Sequence, residues 1–183
     1  MKQIRIPMSR IPILIGHEGE TKQFIEKKAG VELIINSTTG EITILGDEEL
    51  PQEDPLLPLK VEHIVKAIAR GMAPENAFLL FNDDIYFKII DIRDYVGKSR
   101  NSQQRTRARI IGEQGRTREI IEEQSGAKIA IEGYSVVIIG DFYQLDTATT
   151  AVDMILSGAR HASVYSFLEK KRREAHLMKM PEL

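Results

Sequence analysis

Apolar and polar positions alternate in six short segments of the chain, which is the pattern of half-buried β-strands. The first three segments are QIRIP, VELIIN and EITIL, and the last three are IYFKIIDI, AKIAIE and SVVIIG. Short connections, STTG in the first set and GY in the second, join the last two strands of each set and predict tight hairpins. Each set is therefore expected to form one antiparallel sheet.

Apolar residues that recur every three to four positions predict helices around these strands. An apolar stripe predicts a helix over residues 56–70, and a matching helix is expected over residues 144–158. Before each hairpin the chain predicts a short apolar helix and then a second helix. The order strand, helix, helix, strand, strand, helix thus occurs twice. It predicts the α+β class, with helices on one face of each three-stranded antiparallel sheet.

The two halves of the chain are copies of one domain. Residues 13–35 align without a gap on residues 109–131, at a constant offset of 96. The match continues with Gly46-Asp47 opposite Gly140-Asp141. We therefore expect two domains, residues 1–82 and residues 83–183, the second with a C-terminal helical extension. The identities at the turn positions are Gly16, Gly19, Thr21, Ile25 and Gly30, which recur as Gly112, Gly115, Thr117, Ile121 and Gly126.

Each copy places two glycines three residues apart, in GHEG and in GEQG, where a helix would otherwise continue. A glycine inside a helix costs about 1 kcal/mol relative to alanine, so the pair marks a turn of defined shape. The next helix begins directly after the turn, and free N–H groups at a helix N-terminus attract phosphate. The same turn would also serve as a plain connection between two helices.

Charge distinguishes the two copies, although the net charge of the chain is only −2. Residues 1–82 carry 9 basic and 12 acidic side chains, and residues 83–183 carry 16 and 15. Within residues 98–118 there are seven basic side chains and one acid, Glu113. Basic density of this kind indicates a polyanion-binding surface, although a solvated helix face would have the same composition.

The element order and the motif IIGEQG leading into a helix resemble the type I KH domain, so the chain resembles two tandem KH domains. The resemblance implies binding of single-stranded RNA or DNA, with the GxxG loop holding about four nucleotides by their backbone and the bases lying over an apolar groove. The resemblance assigns roles to the residues at matching motif positions. It implies that the glycines clamp the RNA backbone, that the arginines contact phosphate and that the residues after the second helix border the groove. The predicted RNA-binding residues are Arg109, Gly112, Glu113, Gln114, Gly115, Arg116, Arg118, Lys128, Ile129 and Ile131.

The first copy is a second and weaker candidate for an RNA site. Two carboxylates, Glu18 and Glu20, flank Gly19 and would repel phosphate, and only His17 and Lys22 offset them. The residues of this second predicted site are Gly16, His17, Glu18, Gly19 and Lys22.

The segment from RTRARIIGEQGR to FLEKKRR, residues 105–173, resembles the two-KH-domain assembly factor of the small ribosomal subunit, called partner of Nob in eukaryotes. The resemblance implies that the chain binds the 3′ end region of small-subunit rRNA and acts in ribosome assembly without catalysing a reaction. It implies the Nob endonuclease and translation initiation factor two as protein partners. Other KH adaptors, of the exosome type or binding mRNA, and a protein-binding scaffold with inert KH copies are the alternatives.

Other chemistries find less support. GEQGRT lacks the spacing and the lysine of a phosphate-binding P-loop. The four histidines and the Asp83, Asp84, Asp91 and Asp94 group show no ligand spacing, so we expect neither a metal nor a cofactor. The chain has no cysteine, no apolar run long enough for a membrane span and no signal peptide pattern, so we expect a cytoplasmic protein.

Overall fold

The chain folds into two units, Met1–Asp83 and Asp84–Leu183. The structure is a computed structural model that describes residues 2–46 and 56–178. Each unit has a three-stranded antiparallel sheet with the central strand contributed by the last strand in sequence. The predicted α+β fold of two tandem KH domains is confirmed, and within the described ranges the order β-α-α-β-β-α is kept in each unit, with one further α-helix in unit one and two further α-helices in unit two. Asp47, the predicted counterpart of Asp141, lies outside the described residues.

Unit one orders its strands β1-β3-β2. Its sheet pairs Ile4 with Ile42 and Leu33 with Ile44, so alternate side chains of neighbouring strands face the helices together. The strands are β1 (Lys2–Arg5), β2 (Val31–Asn36) and β3 (Glu41–Gly46), and the helices are α1 (Ile11–Ile15), α2 (Glu20–Ala29), α3 (Leu57–Ala69) and α4 (Pro74–Ala77).

Unit two orders its strands in the same way, and Ile129 pairs with Ile138. Its strands are β4 (Tyr86–Asp91), β5 (Lys128–Glu132) and β6 (Ser135–Gly140), and its helices are α5 (Arg93–Val96), α6 (Arg100–Ile111), α7 (Arg116–Ser125), α8 (Phe142–Leu156) and α9 (His161–Met178).

The core of unit two fixes the two helices that flank the GEQG turn. Ile110 at the end of α6 and Ile121 in the middle of α7 are fully buried against Val136 and Ile138 of the sheet and against α8. Each buried isoleucine contributes about 2–3 kcal/mol relative to exposure. Asp141 and Gln144 form a capping box that fixes the start of α8. The turn is thus held between well-packed elements.

Different segments cover the glycine-loop helix in the two units. In unit two α9 packs along α7, and Tyr165 OH lies 3.0 Å from Oγ1 of the buried Thr117. In unit one a short 3₁₀ turn after α4 has this role, with the Phe78 ring 4.4 Å from the Phe24 ring. The apolar pattern of α2 predicts that Phe24 points toward the core, but Phe24 is 46% exposed and packs on this turn.

The first helix of each KH domain was expected to be short and apolar. This is correct for α1, which spans Ile11–Ile15, and wrong for α6, which spans Arg100–Ile111 and is polar except at its end. The side chain of Ser99 caps α6, as its Oγ accepts a hydrogen bond from Ser102 N at 3.4 Å. This cap lets the helix begin in a polar segment that lacks an apolar stripe.

Candidate nucleic-acid interface

The GEQG loop has a backbone that is reproduced in the first copy. Gly112, Gln114 and Gly115 have φ values of 77°, 52° and 82°, all in the region that favours glycine. Gln114 lies in a short 3₁₀ turn, from which α7 starts at Arg116. The corresponding φ values in copy one are 79° at Gly16, 50° at Glu18 and 85° at Gly19. The loop conformation is therefore encoded by the shared glycines and not by the residues between them.

The two glycines of the loop are required for different reasons. A Cβ on Gly112 would lie 2.6 Å from the backbone N of Thr117, closer than atoms can approach. A Cβ on Gly115 would meet no heavy atom within 4 Å, so only its positive φ favours glycine there. Gly112 thus closes the turn onto α7, and Gly115 leaves open space beside the backbone.

The N-terminus of α7 carries no side-chain cap. Gly115 occupies the capping position, so the first N–H groups of this helix have no side-chain acceptor. Together with the positive end of the helix dipole, these groups form a site that suits a phosphate. The open space beside Gly115 allows a sugar-phosphate chain to approach it.

Arg109 has a structural role in this geometry. Its Nη1 donates a hydrogen bond to the carbonyl of Ile155 at 3.0 Å, and its Nη2 donates one to the carbonyl of Ala159. These carbonyls lie at the C-terminal end of α8, where a cation is favourable. The guanidinium is therefore occupied inside the unit, and we leave Arg109 out of the phosphate contacts that the sequence predicted.

Arg116 and Arg118 are exposed on α7, directly after the loop. Arg116 pairs with Glu119 at 3.3 Å, and Arg118 pairs with Glu122 at 3.8 Å. Exposed pairs of this kind contribute about 0.2–1 kcal/mol, so a phosphate can compete for either arginine. Their predicted role stays open to test and is compatible with their positions.

Within the described residues, strand β5 pairs with β6 along one edge, and its other edge is an outer edge of the sheet. Glu122 of α7 accepts a hydrogen bond from Ile129 N at 2.8 Å, and Glu26 accepts the equivalent bond from Leu33 N at 2.8 Å in copy one. Each glutamate thus connects the edge strand of its copy to the helix after the glycine loop. The sequence analysis did not single out these two residues. Glu26 and Glu122 are aligned in the two copies at the offset of 96, and this match is the sequence signal from which they could have been predicted.

The remaining predicted residues of copy two divide into accessible and buried ones. Lys128 is exposed at the start of β5, and its side chain makes no hydrogen bond or ion pair among the described residues. Ile131 is half-buried, whereas the side chain of Ile129 is 3% exposed and belongs to the core. Ile129 can border a groove only through its backbone. Glu113 and Gln114 are exposed at the tip of the loop.

Copy one has the same loop with a different charge. Glu18 occupies the position of Gln114, and its side chain is 84% exposed, like that of His17. Lys22 is drawn to Glu26 of its own helix, at 3.6 Å. Glu20 stands where copy two has Arg116. The structure thus provides the backbone of a phosphate site in copy one and surrounds it with carboxylates.

Within the described part of the chain, no group of three or more histidine, aspartate or glutamate side chains is arranged to hold a metal ion. In the same ranges, residues 2–46 and 56–178, none of the helices combines the length and the apolar character that crossing a membrane requires.

Comparison with known proteins agrees with this geometry. Residues 86–173 match the model of the second PNO1 KH domain, described as a eukaryotic-type (type I) KH domain, and residues 1–52 match the general KH-domain model. A KH domain-containing protein of Methanocaldococcus jannaschii is 42% identical over 93% of this chain and 74% of its own length. The pre-rRNA-processing protein pno1 of Aspergillus fumigatus is 35% identical over 61% of this chain, and the match spans 45% of that protein.

Among solved structures, a chain in the a/eIF2alpha–aDim2p–rRNA complex of Pyrococcus horikoshii OT3 superimposes with a TM-score of 0.87. It is 43% identical, and the match covers 94% of each chain. Identity and coverage at this level extend through both KH units and their connecting segments. The chain therefore belongs to the two-KH-domain family that includes aDim2p and the pre-rRNA-processing protein pno1.

Proposed function

We propose that this protein binds single-stranded RNA through the GEQG loop of unit two and the adjoining edge of β5, and that it acts as a non-catalytic factor in the assembly of the small ribosomal subunit. The observation that carries the proposal is the N-terminus of α7, where Gly115 occupies the capping position and supplies no side-chain hydrogen bond to the first N–H groups of the helix. The RNA backbone would lie on the loop, and bases would lie along β5, where the backbone of Ile131 faces the open edge.

Unit two is the stronger RNA site because aligned positions differ in charge. Copy one has Glu18, Glu20 and Glu32, where copy two has Gln114, Arg116 and Lys128. The two loops share one backbone conformation, so the charges of these aligned side chains are the difference between the loops themselves on which the proposal rests. A carboxylate near a phosphate is unfavourable by about 1 kcal/mol even in water.

The RNA partner we propose is the 3′ end region of small-subunit rRNA, as the resemblance implies. The names of two relatives support ribosomal RNA, since one is a pre-rRNA-processing protein and another forms a complex with rRNA. The same complex contains a/eIF2alpha, which supports initiation factor two as a protein partner of this chain. Cooperation with the Nob endonuclease and a cytoplasmic location stay predictions.

An exchange between the two loops tests the site. Gln114→Glu gives the second loop the carboxylate of the first, and Glu18→Gln removes it from the first. We expect Gln114→Glu to weaken binding of the rRNA oligonucleotide about tenfold at moderate salt, and Glu18→Gln to leave it unchanged or strengthen it. If both variants bind like the wild type, neither loop contacts phosphate and the proposed site is wrong.

Two further arms test the substrate and the absence of catalysis. An unrelated single strand of equal length should bind more weakly than the 3′ rRNA oligonucleotide, and equal affinity would contradict the ribosomal assignment. Incubation of the RNA with the protein and Mg²⁺ or Mn²⁺ should leave it intact. Cleavage that depends on the metal would show that the protein is a nuclease.

A further inference from the structure

The N-terminal part of α6 is a feature of unit two alone. In copy two the helix runs from Arg100 to the GEQG loop, whereas in copy one the corresponding region is a short 3₁₀ turn, Met8–Arg10, followed by α1. Arg105 lies seven residues before Gly112, and Ser9 occupies the same place before Gly16. The extension therefore adds a charged helix face next to the glycine loop of one copy only.

One exposed stripe of α6 leads to the loop. Residues 101, 104, 105 and 108 are all exposed, and spacings of three and four place them on one side of the helix. Gly112 follows Ala108 by four residues and continues the same side. At 1.5 Å per residue, Arg105 lies about 10 Å along the axis from Gly112. Asn101 and Gln104 offer hydrogen-bond donors beside it.

Two cations of this helix, Arg100 and Arg105, differ from Arg109, whose guanidinium donates to backbone carbonyls of its own unit. Within the described residues, the side chains of Arg105 and Arg100 make no hydrogen bond or ion pair, and the sequence has no acidic residue between Lys98 and Gly112. The arginines of α7 differ, because Arg116 and Arg118 face glutamates of their own helix. Unpaired guanidinium groups on an exposed helix face suit phosphate oxygens.

We propose that the RNA strand held by the GEQG loop continues along this stripe of α6, with one phosphate on Arg105 and polar contacts from Asn101 and Gln104. A GxxG loop holds about four nucleotides, and unit two then binds a longer stretch of RNA than that. RNA is the occupant because the stripe is continuous with the phosphate site at the loop and carries no large apolar side chain. This inference rests on the proposed function, since it extends the same RNA.

The test measures the salt dependence of binding for two RNAs, one of about four nucleotides and one of about ten nucleotides. We compare the wild type with Arg105→Gln, Arg105→Lys and the control Arg173→Gln. Arg173 is exposed on α9 and pairs with Glu169 at 3.4 Å, while its neighbour Arg172 reaches Gln124 at the end of α7 remote from the loop. The control therefore removes one equal charge away from the proposed path.

We expect Arg105→Gln to weaken binding of the longer RNA about fivefold and to reduce the slope of log affinity against log salt by about 0.7, as loss of one phosphate contact does. Arg105→Lys should retain most of the slope, and Arg173→Gln should retain all of it. The short RNA should bind all four proteins equally. Thermal unfolding of the Arg105 variants should be unchanged, since the Arg105 side chain makes no hydrogen bond or ion pair with the described residues.

Three results would overturn the inference. Arg105→Gln could bind the longer RNA as tightly as the wild type does, or it could lose the same affinity for the short RNA as for the longer one. The control Arg173→Gln could lose as much affinity for the longer RNA as Arg105→Gln does. Failure of the proposed function gives a different result, because the wild type would then bind neither RNA in a salt-dependent way.

Discussion

Arg109 donates a hydrogen bond of 3.0 Å to the carbonyl of Ile155, and so joins the helix before the glycine loop to the end of α8. Unit one makes the same connection with a different residue, since Arg10 donates to the carbonyls of Ile68 at 2.7 Å and of Met72 at 3.1 Å. Ile68 and Ile155 hold matching places in the two repeats. Two arginines from different sequence positions thus donate to matching carbonyls at and just beyond the C-terminal end of a helix, where a cation is favourable.

Replacing Arg109 by alanine should destabilise the protein and leave the RNA affinity of the folded protein unchanged. Hydrogen bonds from a charged donor contribute about 1.5–3 kcal/mol, so urea unfolding should show a loss in that range. Arg10→Ala should show a similar loss, as the matched variant of unit one. Arg105→Ala, which removes an exposed arginine without a partner, should change stability by less than about 0.5 kcal/mol. Weaker RNA binding by Arg109→Ala with unchanged stability would restore its phosphate role.

Alanine substitutions at the two loop glycines should have unequal effects. Gly112→Ala adds a Cβ that clashes with the backbone at Thr117 and also requires a left-handed residue, so we expect a loss of more than about 3 kcal/mol. Gly115→Ala has only the backbone strain, about 1–2 kcal/mol. Urea unfolding of both variants measures the difference. Equal losses would show that the close approach to Thr117 does not govern the turn.

Glu122 should be replaceable by glutamine and not by alanine. Glutamine keeps an oxygen that can accept the hydrogen bond from Ile129 N, whereas alanine leaves this N–H of the edge strand without its acceptor. We expect Glu122→Ala to lose about 1 kcal/mol of stability and Glu122→Gln to lose less than half of that. Glu123→Ala is the control on the same helix, with an exposed side chain. If Glu123→Ala and Glu122→Ala lower the stability equally, the loss of a negative charge from α7 explains both effects, and the hydrogen bond to β5 does not.

The stability of unit one should decrease at low pH because of Glu62. Hydrogen bonds from Lys2 and Lys66 lower the pKa of Glu62 from its ordinary value of 4.5 to about 2. Because the pKa of Glu62 is lower in the folded protein than in the unfolded chain, the unfolded chain binds the proton more tightly. The ionised carboxylate therefore contributes its full stabilisation above about pH 4.5, and this contribution is lost as the pH falls from about 4.5 to about 2.

Unfolding measured across this pH range for the wild type and Glu62→Gln provides the check. The difference in unfolding free energy between the two proteins should shrink as the pH falls, because glutamine does not titrate. A difference that is constant from about pH 5 to about pH 2 would show that the ion pairs with Lys2 and Lys66 do not form in solution.

The sequence predicts the repeated architecture because its signals are local. Alternation identifies all six strands, the apolar stripe identifies α3, and glycines three residues apart identify the turns. A glycine at the end of each glycine-loop helix predicts a left-handed cap, and Gly30 and Gly126 have φ values of 59° and 79° at the ends of α2 and α7. The role of a polar side chain is harder to predict, as Arg109 shows, because its partners lie far away along the chain.

The sequence by itself therefore determined the two KH domains, the conformation of both glycine loops and the charge difference between Gln114 and Glu18. Periodicity and glycine backbone preferences depend on neighbouring residues, so one chain suffices to detect them. Tertiary structure decided which cations remain available to RNA. The Arg109 side chain donates to the carbonyl of Ile155, 46 residues away, whereas the side chain of Arg105 on the same helix makes no hydrogen bond or ion pair with any described residue. This difference depends on which face of α6 packs against α8, and only the folded core fixes that face.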